Sequence, residues 1–408
     1  MSRDSLRRYA NASESEVPCG MQESKGVTSC DTVIALMTRT PPPWTYQDQK
    51  FVLHNVHFKS SEPNQPDTEC SMILDPRMIP LIPQNLFAVT VPDPPCFEIR
   101  DAGGKGAGMF ALKDIPAGGI ILQEHPAIII PAPSFPREFG AYEALYEALP
   151  ESTRTDLLKM ANWKSEQECC LEEGIARTNG TDVDFAFPDD MNGDTPELRR
   201  AREYGATFLK IDRCNHSCSP NAAHKWDVTR FASYLYALRD IRAGEEICIT
   251  YTDITAPRQT RRAKLLKSYG FLCNCQGCDL NGEHEVEESD LAREQLHDWW
   301  FINPSYGKWR KDLCRSDDAV IKSHERALEL IEREGLHALQ SHFIEEIALC
   351  YAVLGNEDAF RTWGRRLVAL SRISDPELSS QFDGWVRNPS SMKLWAWREK
   401  QRRQRKRK

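Results

Sequence analysis

The chain has 408 residues, 40 % of them hydrophobic and 27 % charged, with a formal net charge of −8, a pI near 5.8 and a mean hydropathy of −0.54. That is enough apolar residue for a core; the acidic balance argues against recruitment to nucleic acid by the bulk field, and no apolar run reaches the roughly 20 residues that a bilayer span needs. The start, MSRDSLRRYA, lacks the apolar stretch of a secretory signal, so an intracellular setting is expected, nuclear or cytoplasmic, in which the 14 cysteines serve as metal ligands and buried thiols rather than disulfides.

Residues 1–85 show no sustained period of 2 or 3.6 and are rich in Ser, Thr, Pro, Asp and Gln, which predicts a largely disordered arm with one short strand near FVLHNVHF. Order is expected from about Phe97, where FEIRDAGGKGAGMFALKDIPAGGIILQEHPAIII alternates apolar stretches with glycine turns and reads as several short strands. A mostly helical insertion over 131–204 follows, marked by Tyr142, Leu145, Tyr146 and Leu149 and ending in FPDDMNGDTP. Strands return in RFASYLYALRDI and EEICITY. From about 286 to 376 three apolar stripes predict consecutive helices: Val320 to Ile331 stopped at Gly335, Phe343 to Leu354 stopped at Gly355, and a third capped by Asn356. Residues 377–408 read as a basic tail, and REKQRRQRKRK is a candidate nuclear import signal.

Cys273, Cys275 and Cys278 crowd FLCNCQGCDL, a loop with no core to share. Zinc takes four tetrahedral ligands and favours thiolates, so three here leave one position either open, as in a catalytic site, or filled from elsewhere, with Cys218 of NHSCSPN the first candidate and Cys214 the alternative; free thiols on a loop are the competing reading. Such a site would supply the folding energy of a segment with little apolar area of its own, so chelation is expected to loosen the chain after Tyr251 first.

Four motifs stand in one order: GKGAGMFA, NHSCSPN, GEEICITY and YGFLCNCQGC. Together they resemble the SET-domain family of protein lysine methyltransferases, in particular the branch that combines SET with a MYND finger. The dense Cys/His run of that finger is missing, since only Cys169 and Cys170 stand between the sheet halves, and so is the cysteine-rich segment that precedes SET in many histone-directed enzymes. The resemblance implies an α+β fold: a SET β-fold with a pseudoknot over 86–254, a post-SET zinc segment over 255–285 and a helical C-terminal region. It implies S-adenosylmethionine as cofactor and a protein lysine, histone or non-histone, as substrate, without direct nucleic-acid or membrane binding.

Carried over residue by residue, Lys105, Gly106, Ala107 and Gly108 resemble the loop that wraps the cofactor. Asn179 resembles an insertion asparagine that touches it, and Asn215 and His216 the pair that hydrogen-bonds it. Phe271 resembles the aromatic on the adenine, Tyr251 the catalytic tyrosine, which also contacts the cofactor, and Tyr269 a second catalytic residue that walls the lysine channel. Cys218, Cys273, Cys275 and Cys278 resemble the structural zinc set. Glu245 and Glu246 read as a solvated turn without a catalytic role. The competing reading is a catalytically inactive SET module acting as a zinc-stabilised interaction protein; the intact Tyr251, Asn215 and His216 favour the enzyme. Removal of residues 1–85 is expected to leave cofactor affinity nearly unchanged.

Overall fold

The computed structural model describes residues 43–46, 49–60, 68–89, 94–185 and 203–406. Thirteen strands among them form three sheets. The largest orders β1 (Trp44–Tyr46), β2 (Gln49–Phe58), β3 (Thr68–Leu74), β7 (Ile128–Pro131), β9 (Tyr204–Thr207) and β8 (Thr181–Val183). The second orders β10 (Asn215–His216), β13 (Glu246–Ile249), β5 (Ala107–Ala111) and β4 (Phe97–Asp101); the third orders β11 (Ala222–Asp227), β12 (Ala232–Ala237) and β6 (Ile120–Glu124). Phe58, Met72, Met109, Ile121, Phe208, Leu235 and Ile247 form one apolar cluster shared by all three sheets.

The expected disordered arm is corrected over 44–46, 49–60 and 68–85. The strand foreseen near FVLHNVHF is β2, but it has partners: β2 pairs antiparallel with β3 from Val52↔Leu74 to Phe58↔Thr68, and β3 runs parallel to β7 at Ser71↔Ile128. Phe51, Phe58, Met72, Ile73 and Leu74 are fully buried. The polar intervals between these strands, including 61–67, concealed a pattern whose partner lies more than fifty residues onward. Residues 1–42, and the FPDDMNGDTP loop, fall outside the described residues.

The insertion carries α1 (Ala141–Glu147), α2 (Glu151–Leu158) and α3 (Leu171–Asn179). Tyr142, Leu145, Tyr146, Leu157, Ile175 and Ala176 pack onto Phe51, Ile73, Ile128 and Ile130 of the large sheet. Its two ends are strand rather than helix, in β7, β8 and β9. After β13, α4 (Arg258–Tyr269) ends at Gly270 with φ +73°. The helical region then comprises α5 (Glu283–His297), α6 (Trp299–Ile302), α7 (Tyr306–Lys311), α8 (Ala319–Glu334), α9 (Gln340–Leu354), α10 (Glu357–Ser374), α11 (Pro376–Arg387) and α12 (Trp397–Lys406).

Gly335 and Gly355 stop α8 and α9 in the left-handed conformation at φ +66° and +73°. The Asn356 side chain caps α10 by accepting from the Ala359 amide. Residues 377–406 are correspondingly more than a basic tail. α11 buries Phe382 and Val386 against α10, and the fully buried Arg398 ties α12 to the carbonyls of Trp309, Asp312 and Arg315. No helix among the described residues is long and apolar enough to cross a membrane.

Candidate active site and cysteine cluster

The glycine motif lies at the turn between β4 and β5, where Gly103 and Gly106 take φ +70° and +75°. At Gly106 a side chain would meet nothing within 4 Å, so the backbone angle is what selects glycine there. At Gly108 the reason is contact: a Cβ would lie 2.9 Å from Asn215 Nδ2 and 3.0 Å from a Glu246 oxygen. Glycine thus lets β10 close on β5. Asn215 Nδ2 donates to the Ala107 carbonyl (3.2 Å) and to Glu246 Oε1 (2.8 Å), while the Lys105 ammonium donates to the other Glu246 oxygen. Glu246 therefore does more than solvate a turn: it holds Lys105 and Asn215 on one carboxylate. No sequence signal marked this role, which comes from strand register, with Glu246 opposite Phe110 in β5.

β10 and β13 run parallel, with Asn215 beside Cys248 and His216 beside Ile249. That pairing sets the Tyr251 amide on His216 Nδ1 at 2.9 Å and the Tyr251 hydroxyl, as donor, on the Cys214 carbonyl at 2.6 Å. With Nδ1 accepting, the neutral imidazole carries its proton on Nε2, which faces Cys218 Sγ at 3.2 Å. Burial, helped by the nearby Arg261 cation, lowers the His216 pKa to about 4, so the ring stays neutral at physiological pH. Burial likewise holds the Tyr251 hydroxyl well above its usual pKa, with Cys214 and Asp212 adding to the shift, so it remains a phenol.

Four rings converge here. Tyr251 and Tyr269 stand 4.8 Å apart, His216 lies 5.3 Å from Tyr251 and 6.1 Å from Phe271, and Tyr269 lies 6.4 Å from Phe271. Tyr251, Tyr269 and Phe271 are each half-buried, so the cluster has an apolar wall and an open side.

The Asn179 amide is engaged by backbone. Its Nδ2 donates to the carbonyls of Ala161 (2.7 Å) and Ile175 (2.8 Å), so its amide holds the 161–163 loop to α3. That loop carries Trp163, a residue the sequence did not single out. The Trp163 amide donates to Thr178 Oγ1, and a Cβ built on Gly270 would fall 2.1 Å from its ring. Trp163 thus lies against the backbone between Tyr269 and Phe271. Nothing in its own neighbourhood of the sequence marks it, because the contact spans more than a hundred residues. Gly270→Ala is expected to cost about 2–4 kcal/mol, combining left-handed strain with overpacking. In the Trp163→Ala background only the strain component, about 1–2 kcal/mol, should remain. Chemical denaturation of the four proteins checks this; equal costs in both backgrounds would deny the contact.

One candidate ligand atom from each of Cys218, Cys273, Cys275 and Cys278 lies within 4.8 Å of the others, and three of these four residues are buried. Cys214 is elsewhere, with its sulfur 3.7 Å from Met109 Sδ in the core. The set has the softness and number for zinc, and ionising several such thiols at this spacing needs a cation among them. Two fully buried arginines flank the sulfurs. Arg261 donates to the Gly277 carbonyl at 2.8 Å and lies 3.9 Å from Cys278 Sγ; Arg293 of α5 donates to the Cys218 carbonyl at 3.2 Å and faces Glu334 of α8 at 3.6 Å. The cluster therefore ties the NHSC segment, the cysteine loop and the helical region into one unit.

Residues 106–252 match the SET domain family. The chain is 30 % identical over 300 residues to the histone-lysine N-methyltransferase set5 of Schizosaccharomyces pombe, spanning 73 % of this chain and 86 % of that protein. It is 37 % identical over 96 residues to the protein-lysine N-trimethyltransferase SMYD5 of Homo sapiens, spanning 23 % and 22 % of the two chains. Over 107 residues it is 31 % identical to the histone-lysine N-methyltransferase ASHR2 of Arabidopsis thaliana, spanning 24 % and 26 %. With its glycine turn, Asn-His strand and strand-end tyrosine gathered at one place, the chain belongs to the SET-domain family of protein lysine methyltransferases.

Proposed function

We propose that the protein transfers the methyl group of S-adenosylmethionine to a lysine of a protein substrate at the aromatic cluster around Tyr251, with zinc held by Cys218, Cys273, Cys275 and Cys278. The observation that carries this reading is the convergence of Tyr251, Tyr269, Phe271 and His216 within 6.4 Å of their neighbours, beside the Gly108–Asn215 contact. In this reading the 105–108 turn, Asn215, His216 and Phe271 hold the cofactor, and the 161–163 loop, secured by Asn179, rims the site. Bound there, the cofactor supplies an electrophilic methyl on a sulfonium.

The remaining chemistry belongs to the chain. A free lysine titrates at roughly 10.4 and is mostly protonated at neutral pH. A half-buried aromatic wall disfavours the ammonium by desolvation, and a neighbouring cation disfavours it further. Tyr251 is a neutral phenol whose proton is committed to the Cys214 carbonyl, so its oxygen lone pairs are free to accept an amine N–H and aim the nitrogen lone pair. The lysine must give up its proton to water before it can attack, and the methylated product would leave the aromatic wall as an ammonium. Most of the acceleration is positional, an effect worth roughly 7–11 kcal/mol in well-oriented systems.

Because some relatives are named for histone lysines and others for protein lysines in general, histones and extract proteins are both substrates to test. Incubation with radiolabelled cofactor should label histones or proteins of an extract. Tyr251→Phe is expected to lower the rate at least 10²-fold, with cofactor affinity, by calorimetry, changed less than threefold. Wild-type protein that binds no cofactor and labels nothing would sink this assignment and leave the interaction-module reading.

A further inference from the structure

We propose that α12, together with the neighbouring α7, is a rigid docking surface for the phosphate backbone of double-stranded DNA. Residues 393–408 hold nine basic side chains and one acidic, a net +8; with −8 for the whole chain, the preceding 392 residues carry −16. The bulk charge that argues against nucleic acid is therefore an average over two segregated regions, and a surface near a polyanion responds to the local one. Only charges within about a Debye length, 8 Å at physiological salt, act fully.

Over residues 397–406 the segment is a built surface rather than a loose tail. Arg398 is fully buried and donates to the carbonyls of Trp309, Asp312 and Arg315, at the end of α7 and just beyond. Arg402 is spent on Asp317, which also pairs with Arg398, and Arg310 of α7 sits over the Trp397 ring at 5.2 Å. These contacts fix the helix against its neighbour. They leave Lys400, Arg403, Arg405 and Lys406 exposed on α12, with Lys308 and Lys311 exposed on α7 and Arg315 exposed after it. Two of these seven are partly offset, Arg403 by Glu399 and Arg315 by Asp312.

The surface fits a duplex backbone for three reasons. Ten helical residues span roughly 15 Å, a length over which a duplex presents a dense row of phosphates, one charge per about 1.7 Å of axis. Lysine and arginine heads suit such a row without needing base edges. The local tryptophans, Trp395 and Trp397, are half-buried against Phe360 and Arg310, so they are occupied in packing rather than presented for stacking with unpaired bases. An import receptor that reads an extended basic peptide would have to melt α12 and release Arg398, whereas a duplex uses the helix as it stands.

Fluorescence anisotropy with the full-length protein and a labelled 20-base-pair duplex tests this. Binding should weaken roughly 10²-fold between 50 and 200 mM salt, as about four neutralised phosphates require. Lys400→Glu/Arg403→Glu/Lys406→Glu should weaken it at least tenfold and flatten the salt slope, with the thermal transition and cofactor affinity unchanged. Arg398→Met keeps every exposed charge but unseats the helix, and should also weaken binding. Absence of salt-dependent binding, insensitivity to the triple variant, or tighter binding of polyglutamate than of the duplex would each overturn the proposal. Full affinity in Arg398→Met would reduce the surface to a solvated tail and overturn it as well.

Discussion

Deleting residues 1–85 is expected to leave a chain that does not fold. The deletion removes Phe51, Phe58, Met72, Ile73 and Leu74, all fully buried. Truncating any one large core side chain costs about 2–5 kcal/mol, while a domain's entire stability is about 5–15 kcal/mol. It also strips β7 of its parallel partner β3, and takes away the Trp44 bond to the Phe139 carbonyl and the bond that the Asp75 amide donates to the Tyr204 hydroxyl. Phe58→Ala alone should cost about 3–5 kcal/mol, since its ring stacks on His125 at 3.7 Å and packs near Phe231. Circular dichroism and cooperative thermal unfolding give the readout. A truncated protein with a native-like transition and intact cofactor affinity would show that the first three strands are dispensable, as composition alone suggests.

Removing the metal proposed at the four cysteines should have the second large effect. Zinc with four thiolates carries a net charge of −2, and Arg261 and Arg293 bring two fully buried positive charges to it. Chelation would turn the thiolates into thiols and leave the guanidiniums only their longer carboxylate contacts, Arg261 to Asp290 at 3.9 Å and Arg293 to Glu334 at 3.6 Å; losing the partner of a buried charge outright costs about 3–5 kcal/mol, an upper bound for each. The loss should not stop at the cysteine loop. Arg293 belongs to α5 and meets Glu334 at the end of α8, and Ser219, next to Cys218, donates to the Glu334 carbonyl at 2.6 Å.

Hydrogen exchange after chelation, or in Cys218→Ser, is therefore expected to rise first over 256–297 and at the C-terminal end of α8. The β2–β3–β7 region should stay protected. Arg293→Met should reproduce part of the pattern and weaken zinc retention against a competing chelator. Uniform loss of protection across all three sheets, or no change at all, would contradict this coupling.

Several motifs were legible in the chain because each is a local solution to a local demand. The 103–108 turn needs glycines at positive φ, three cysteines within six residues form a set that could hold a metal, and apolar stripes ending in Gly335 and Gly355 need helices. What escaped was of longer range. The strands over 44–74 look polar because each is judged without its partners, and their burial is decided by β7 and the insertion helices. The choice of Cys218 over Cys214 depends on which of the two faces the later cysteines, a matter of how β10 lies on β13. Trp163 meets Gly270, Glu246 joins Lys105 to Asn215, and Arg398 seats α12 only after the chain has closed on itself. Sequence alone determined the family, the short-range turns and caps, and the residue types able to do the chemistry. Tertiary structure alone decided which of them meet, because side chains separated by tens to hundreds of residues are brought together by burial of apolar area and by strand register, which no local window records.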